Sequence, residues 1–262
     1  MMALVSATLL LLRTHFARVL FSRRMALCAL IALGPAVVAA LVLSAAEHAP
    51  LLTDLIAYLT WFLLLQIVVP VVALIAGAAV ISEEIEDRTI TYLFTRPFPR
   101  AALLLGRWVA TACILAGLLG GSALLLVTVA NVLGPTGAEP IPSDTITVPL
   151  ILMAVAGGAV YSALFAVIGV FLKHPMIIGL AYSFVIEGAL ANVPGKSQGL
   201  SVLYHLRSYA SSGAEAWSEI HANMNFQPEP QADSVTWLVT VMLVTLVLGS
   251  LVVSRKQYVL TA

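Results

Sequence analysis

Residues 82–107 read SEEIEDRTITYLFTRPFPRAALLLGR, and the rest of the chain is organised around them. The stretch gathers four acids, Glu83, Glu84, Glu86 and Asp87, and four arginines, Arg88, Arg96, Arg100 and Arg107, in a protein that has only 13 acidic and 13 basic residues. On each side lies an apolar run long enough to cross a bilayer. The stretch therefore reads as a polar hinge held at a membrane surface, within reach of a soluble partner.

Composition agrees. Of 262 residues, 61% are apolar and 10% charged, with a mean hydropathy of +1.02, whereas soluble domains carry about 25% charge. This is the composition of an integral membrane protein. The formal net charge is zero, so the balance of signs says nothing about nucleic acid, and no basic tract suggests it; no nucleic-acid partner is expected. Cys28 and Cys113 fall in separate apolar runs, where a thiol behaves as a small hydrophobe, so they define neither a disulfide framework nor a redox compartment.

A bilayer core of about 30 Å needs roughly 20 helical residues, and six runs meet that length: 25–46, 55–81, 108–133, 146–172, 175–193 and 235–254. Backbone amides in lipid must be satisfied within the segment, so apolar runs of this length are helices; barrel strands would alternate over about ten residues. The fold class is all-α. Residues 5–24 carry Arg13, Arg18, Arg23 and Arg24 after the apolar stretch, the reverse of a secretory signal. They read as an interfacial helix or as a basic cytoplasmic leader.

Orientation follows from lysine and arginine. With both termini cytoplasmic, eleven basic residues lie inside and two, Lys196 and Arg207, outside. The outer segments are then a short one near Asp54, a proline-rich one at 134–144, and a long one at 194–234, whose Leu, Tyr and Trp residues predict one or two short helices lying back on the membrane. Nothing marks a repeat or a second domain, so 1–262 reads as one transmembrane domain.

Within the hinge, Ser82 has the chemistry of a helix N-cap, and Glu83, Glu84 and Glu86 suit the positive end of a helix dipole. Pro97 and Pro99 stop such a helix. The reading is a short surface helix over 82–100, wedged between spans two and three. The plain alternative is a solvated loop whose charges anchor the spans.

These residues resemble the ABC type 2 exporter permeases, in which an acidic pair, Gly-Thr, an apolar run, Arg-Pro, a Ser-Arg and a Gly-Lys follow the second span. Matching positions are Glu84, Glu86, Thr89, Arg96, Pro97, Arg100 and Gly106; Arg88, Pro99 and Arg107 depart from the pattern. The resemblance implies that 82–100 is a coupling helix docking on a separate cytoplasmic ATPase. Glu83, Glu84, Glu86, Asp87, Arg88, Thr89, Arg96, Pro97 and Arg100 would form that contact, with Lys173 and His174 as a second, minor one. It further implies two ATPase copies, a second permease copy, identical or related, and an inner-membrane location. The chain itself would bind no cofactor; ATP and Mg would sit on the partner.

No catalytic or nucleotide site competes with this. Gly195-Lys196-Ser197 matches the tail of a phosphate-binding loop, but the pattern requires glycine where Leu190 stands. His205, His221 and Met224 lack paired ligand spacing, so no metal site is assigned. Glu187 is the one ionisable residue inside a span, at a cost of about 3 kcal/mol near the bilayer centre. With Tyr182, Ser183 and, on the second span, Gln66, it either lines a substrate path or the seam between copies, or simply reaches interfacial water. Gly117, Gly120, Gly121, Gly157, Gly158 and Ala159 suit close helix packing.

The function expected is the permease subunit of an ATP-driven exporter. Alternatives are a complex that transmits force to an outer or periplasmic partner through 194–234 without transport, and an intramembrane enzyme using Glu187.

Overall fold

The computed structural model describes residues 16, 18–45, 52–86, 100–135, 138–172, 174–193, 195–211 and 217–255. Most of the expected interfacial helix at 5–24 lies outside these residues, as does 87–99.

Six helical segments are long and apolar enough to cross a membrane: Arg23–Ala45, Leu52–Val80, Leu104–Leu133, Ser143–Phe171, Pro175–Asn192 and Gln231–Ser254. No strand occurs among the described residues. In the text below these are the first to sixth spans. The end of the bundle where the second and third spans approach residues 87–99 is the hinge end, and the end carrying 194–230 is the loop end.

Four spans are irregular: the fourth opens with a π turn at Ser143–Thr147, and three others break or change winding along their length. The first breaks at Leu33, between helices Arg23–Ala32 and Gly34–Ala45, where Pro35 has no amide to donate to the preceding turn. The second changes winding twice: α-helical over Leu52–Tyr58, a wide π winding over Leu59–Val68, then α-helical over Val69–Glu86. The fifth has a π turn at Tyr182–Ile186. Such turns are rare and frequently mark functional positions.

The fourth span is the hub, and its helix Val148–Phe171 packs against the second, third and sixth spans. Its closest partner is the second span. A Cβ placed on Gly77 would come within 2.8 Å of the Ser162 backbone, and one on Gly169 within 3.0 Å of the Ala78 carbonyl, so the two helices cross backbone against backbone. Trp108 Nε1 adds a hydrogen bond to Ser162 Oγ at 3.2 Å, fastening the third span to the same crossing. Gly157, Gly158 and Gly120 also sit against neighbouring side chains. Gly117 and Gly121 do not: nothing lies within 4 Å of a Cβ at either, and Gly117 lines a cavity between the third span and residues 16–29.

Two expectations about the extramembrane segments need correcting. Ser82 does not start a new helix, since the second-span helix runs unbroken to Glu86. Pro70 lies just past the junction with the π winding, and no later proline interrupts the helix before Glu86. At the other side of the hinge, helix Arg100–Leu133 has 34 residues, about 51 Å at 1.5 Å per residue, and so projects beyond a 30 Å apolar layer. The second correction concerns 194–234. Helix Val202–Ser211 does not lie on the membrane but is inserted in the bundle, with Val202 to Ser208 all buried. A Cβ on Gly157 would lie 2.9 Å from Leu206 Cδ1, and Gly157 is nine residues into the fourth-span helix, about 13 Å from its start.

Candidate functional site

The inserted helix is held by two buried polar residues, one facing its N-terminus and one at mid-length. Its N-terminus presents the amides that no helical turn satisfies. Glu187, 1% exposed, faces them: its Oε1 accepts from Val202 N at 3.2 Å and its Oε2 from Leu203 N at 3.1 Å. Ser201 Oγ donates to the same Oε2 at 2.6 Å and accepts from Tyr204 N at 3.2 Å. Tyr182 Oη donates to Oε1 at 2.7 Å. The carboxyl group therefore caps the helix from another span, at the positive end of its dipole. The cost of burying it is offset by four donors. Neither reading of Glu187 included this capping role.

One helical turn further on, Arg207 is also 1% exposed. Its Nη1 donates to Asn192 Oδ1 at 3.0 Å, and its Nη2 to both the Trp61 carbonyl at 3.1 Å and Gln66 Oε1 at 2.7 Å. The guanidinium lies 4.6 Å from the centroid of the Trp61 ring, at cation–π distance. The inserted helix is thus tied to the fifth span through Glu187 and Asn192, and to the π winding of the second span through Trp61 and Gln66.

Aromatic residues close the loop end above this network. Trp61 meets Phe226 edge-on at 4.8 Å and approaches His221 at 5.9 Å and Trp217 at 6.2 Å. Tyr204 Oη donates to the Gln227 carbonyl at 2.9 Å. His205 stacks on Trp237 of the sixth span at 4.1 Å, with Nε2 3.0 Å from the Gly199 carbonyl and Nδ1 3.4 Å from Glu229. His221 sits in helix Ser218–Met224, where burial pushes its pKa below the ordinary value. Among the described residues no three His, Cys, Asp or Glu side chains are grouped to hold a metal. Lys196–Leu200 is a 3-10 turn, and Gln198 Nε2 donates from it to the Ala191 carbonyl at 3.3 Å.

At the hinge end, Arg107 Nη1 donates to the Val80 carbonyl at 3.3 Å, bracing the third span against the second. His174 is exposed just before Pro175. Because the second and fourth spans both finish here, the hinge and His174 share one end of the bundle. Glu83, Glu84 and Glu86 lie on the second-span helix and Arg100 opens the third-span helix. Asp87, Arg88, Thr89, Arg96, Pro97 and Lys173 fall outside the described residues.

Of the four proposed path residues, Gln66, Tyr182 and Glu187 meet around the inserted helix. Ser183 is buried separately and donates to the Gly179 carbonyl at 2.9 Å. Sequence reasoning missed Arg207, Ser201 and Trp61 as members. The available signal was a single arginine in an otherwise apolar stretch, LSVLYHLRSYA, matched by single polar residues within two spans.

The architecture defines a multi-pass α-helical membrane protein. The chain belongs to a transporter family: residues 36–256 match the family described as ABC-2 family transporter protein. That family supplies the membrane-spanning component of ABC transporters, is not itself catalytic, and generally works with an ATPase subunit and dimerises. No curated protein matches the chain.

Proposed function

We propose that this chain is the permease of an ATP-driven exporter, acting as a pair with a second permease and two copies of a cytoplasmic ATPase that docks on the hinge. The observation that supports it best is the form of the hinge. Two stiff helices, Val69–Glu86 and Arg100–Leu133, converge on the acidic and arginine-rich residues at 82–100. A motor gripping that segment would tilt both spans, and the backbone crossing at Gly77 and Ser162 would carry the tilt to the fourth span. ATP and Mg belong to the partner, and the hinge end faces the cytoplasm of the inner membrane. Gln66, Tyr182, Ser183 and Glu187 enter as the frame of the loop end of the path, acting through the inserted helix.

The test is to replace Glu84 and Glu86 with lysine, purify the chain in mild detergent and identify what accompanies it by mass spectrometry. The parent should capture an ABC ATPase and the variant should lose it while inserting normally. Equal capture by both would sink the coupling role.

A second reading, force transmission to an outer partner, is favoured by one observation. The inserted helix is fastened to the second and fifth spans, so a tilt of either moves the loop end. In that case the purified complex would hydrolyse ATP without moving any cargo.

A further inference from the structure

The π winding Leu59–Val68 and Arg207 fit one another in a specific way. In a π winding, residues five apart are paired along the chain. Trp61 and Gln66 are five apart, and Arg207 Nη2 binds both of them, the carbonyl of one and the side chain of the other. In this winding the Trp61 carbonyl and the Gln66 side chain converge on that one nitrogen atom. The guanidinium plane against the Trp61 ring adds a third contact to the same turn. Its remaining hydrogen bond goes to Asn192 on the fifth span. Every one of these acceptors is neutral, so position in the network, not ion pairing, holds the group.

From this geometry we infer that Arg207 is a positioning residue for the second span. It clamps the wide winding at Leu59–Val68 and thereby fixes the rotation of helix Val69–Glu86 below it. Closing one π turn to an α turn shifts the register by one residue, about 100° of rotation. That rotation would turn the whole of helix Val69–Glu86, which enters the hinge, about its axis. A side chain at the loop end thus sets the rotation of the helix that enters the hinge. The consequence at the hinge rests on the coupling reading above; the clamp itself does not.

The test uses the full chain in phospholipid nanodiscs with Cys28 and Cys113 replaced by alanine. Arg207→Lys keeps a charge but lacks the fork, Gln66→Leu removes one acceptor, and Glu187→Gln loosens the other end of the inserted helix without touching the π winding. Hydrogen exchange over 59–68 should quicken at least about tenfold in R207K and Q66L. In E187Q the faster exchange should be confined to 202–211. Rotation is read separately by a disulfide between Leu74→Cys and Gly179→Cys, positions in direct contact, since a Cβ on Gly179 would overlap the Leu74 side chain. Its yield should fall severalfold in R207K and Q66L and stay unchanged in E187Q. Unchanged exchange over 59–68, an unchanged disulfide yield, or equal opening of that segment by E187Q would each overturn the inference. If R207K does not fold, Q66L alone decides. No ATPase takes part, so loss of ATPase capture in the hinge variant and failure of the clamp are separate results.

Discussion

At the scale of single residues, Glu187 is the side chain on which most depends. Replacing it with alanine leaves two backbone amides, a serine and a tyrosine hydroxyl without their acceptor in a water-poor interior. Each hydrogen bond to a charged group is worth about 1.5–3 kcal/mol, and orphaned donors cost a similar amount. Glu187→Ala should therefore lower stability by about 3 kcal/mol or more, and Ser201→Ala by about 1 kcal/mol, as a lost N-cap does. Glu187→Gln keeps one good acceptor and should fall between them; thermal unfolding in nanodiscs ranks the three. His221 gives a pH-dependent counterpart. Burial depresses its folded pKa below the ordinary 6.5, so below about pH 6.5 the unfolded chain binds a proton that the folded protein resists. The contribution is fully present above that pH and is lost as pH falls. The parent should melt earlier at pH 5 than at pH 7.5, and His221→Phe should flatten that acid limb.

At the scale of elements, the close crossing of the second and fourth spans makes a sharp contrast between glycines. A methyl at Gly77 would press on backbone that has no rotamer to change, so Gly77→Ala should cost about 1–3 kcal/mol as overpacking does. Gly117→Ala meets nothing and should cost nothing, which melting curves of the two variants will show side by side. The spans themselves were legible from the sequence, because length and hydropathy are local properties and lipid leaves the backbone no alternative to helix. The helical extension to Glu86 was not. A change from apolar to charged residues marks where lipid ends, but a helix continues into water as readily as it stops there. The inserted helix was hidden for a different reason. Its polar side chains looked interfacial, while their partners lie at Glu187 and Asn192, Trp61 and Gln66, up to 146 residues away. Only the oddity of each residue was visible: one acid and one glutamine in apolar spans, one arginine in an apolar loop.

At the scale of the whole molecule, the structure sharpens the orientation argument. Sequence counting set eleven basic residues against two, with Arg207 among the two. Arg207 is buried in the bundle and bound to the second and fifth spans, so it does not act as a loop charge at the surface. The balance becomes eleven against one, with Lys196 alone on the loop end. Positive charge near the ends of spans is retained in the cytoplasm, so the hinge end, with the arginines of the hinge, should face inward. This can be checked with single cysteines placed where the structure shows exposed side chains at opposite ends. Ser218→Cys lies on the short helix Ser218–Met224 at the loop end, and His174→Cys precedes the fifth span at the hinge end. In a background where Cys28 and Cys113 are alanine, a membrane-impermeant maleimide added to intact cells should label position 218 and leave 174 untouched. Position 174 should react only after permeabilisation. The opposite pattern would put the hinge outside, where no cytoplasmic motor could reach it, and would remove the coupling proposal together with the topology.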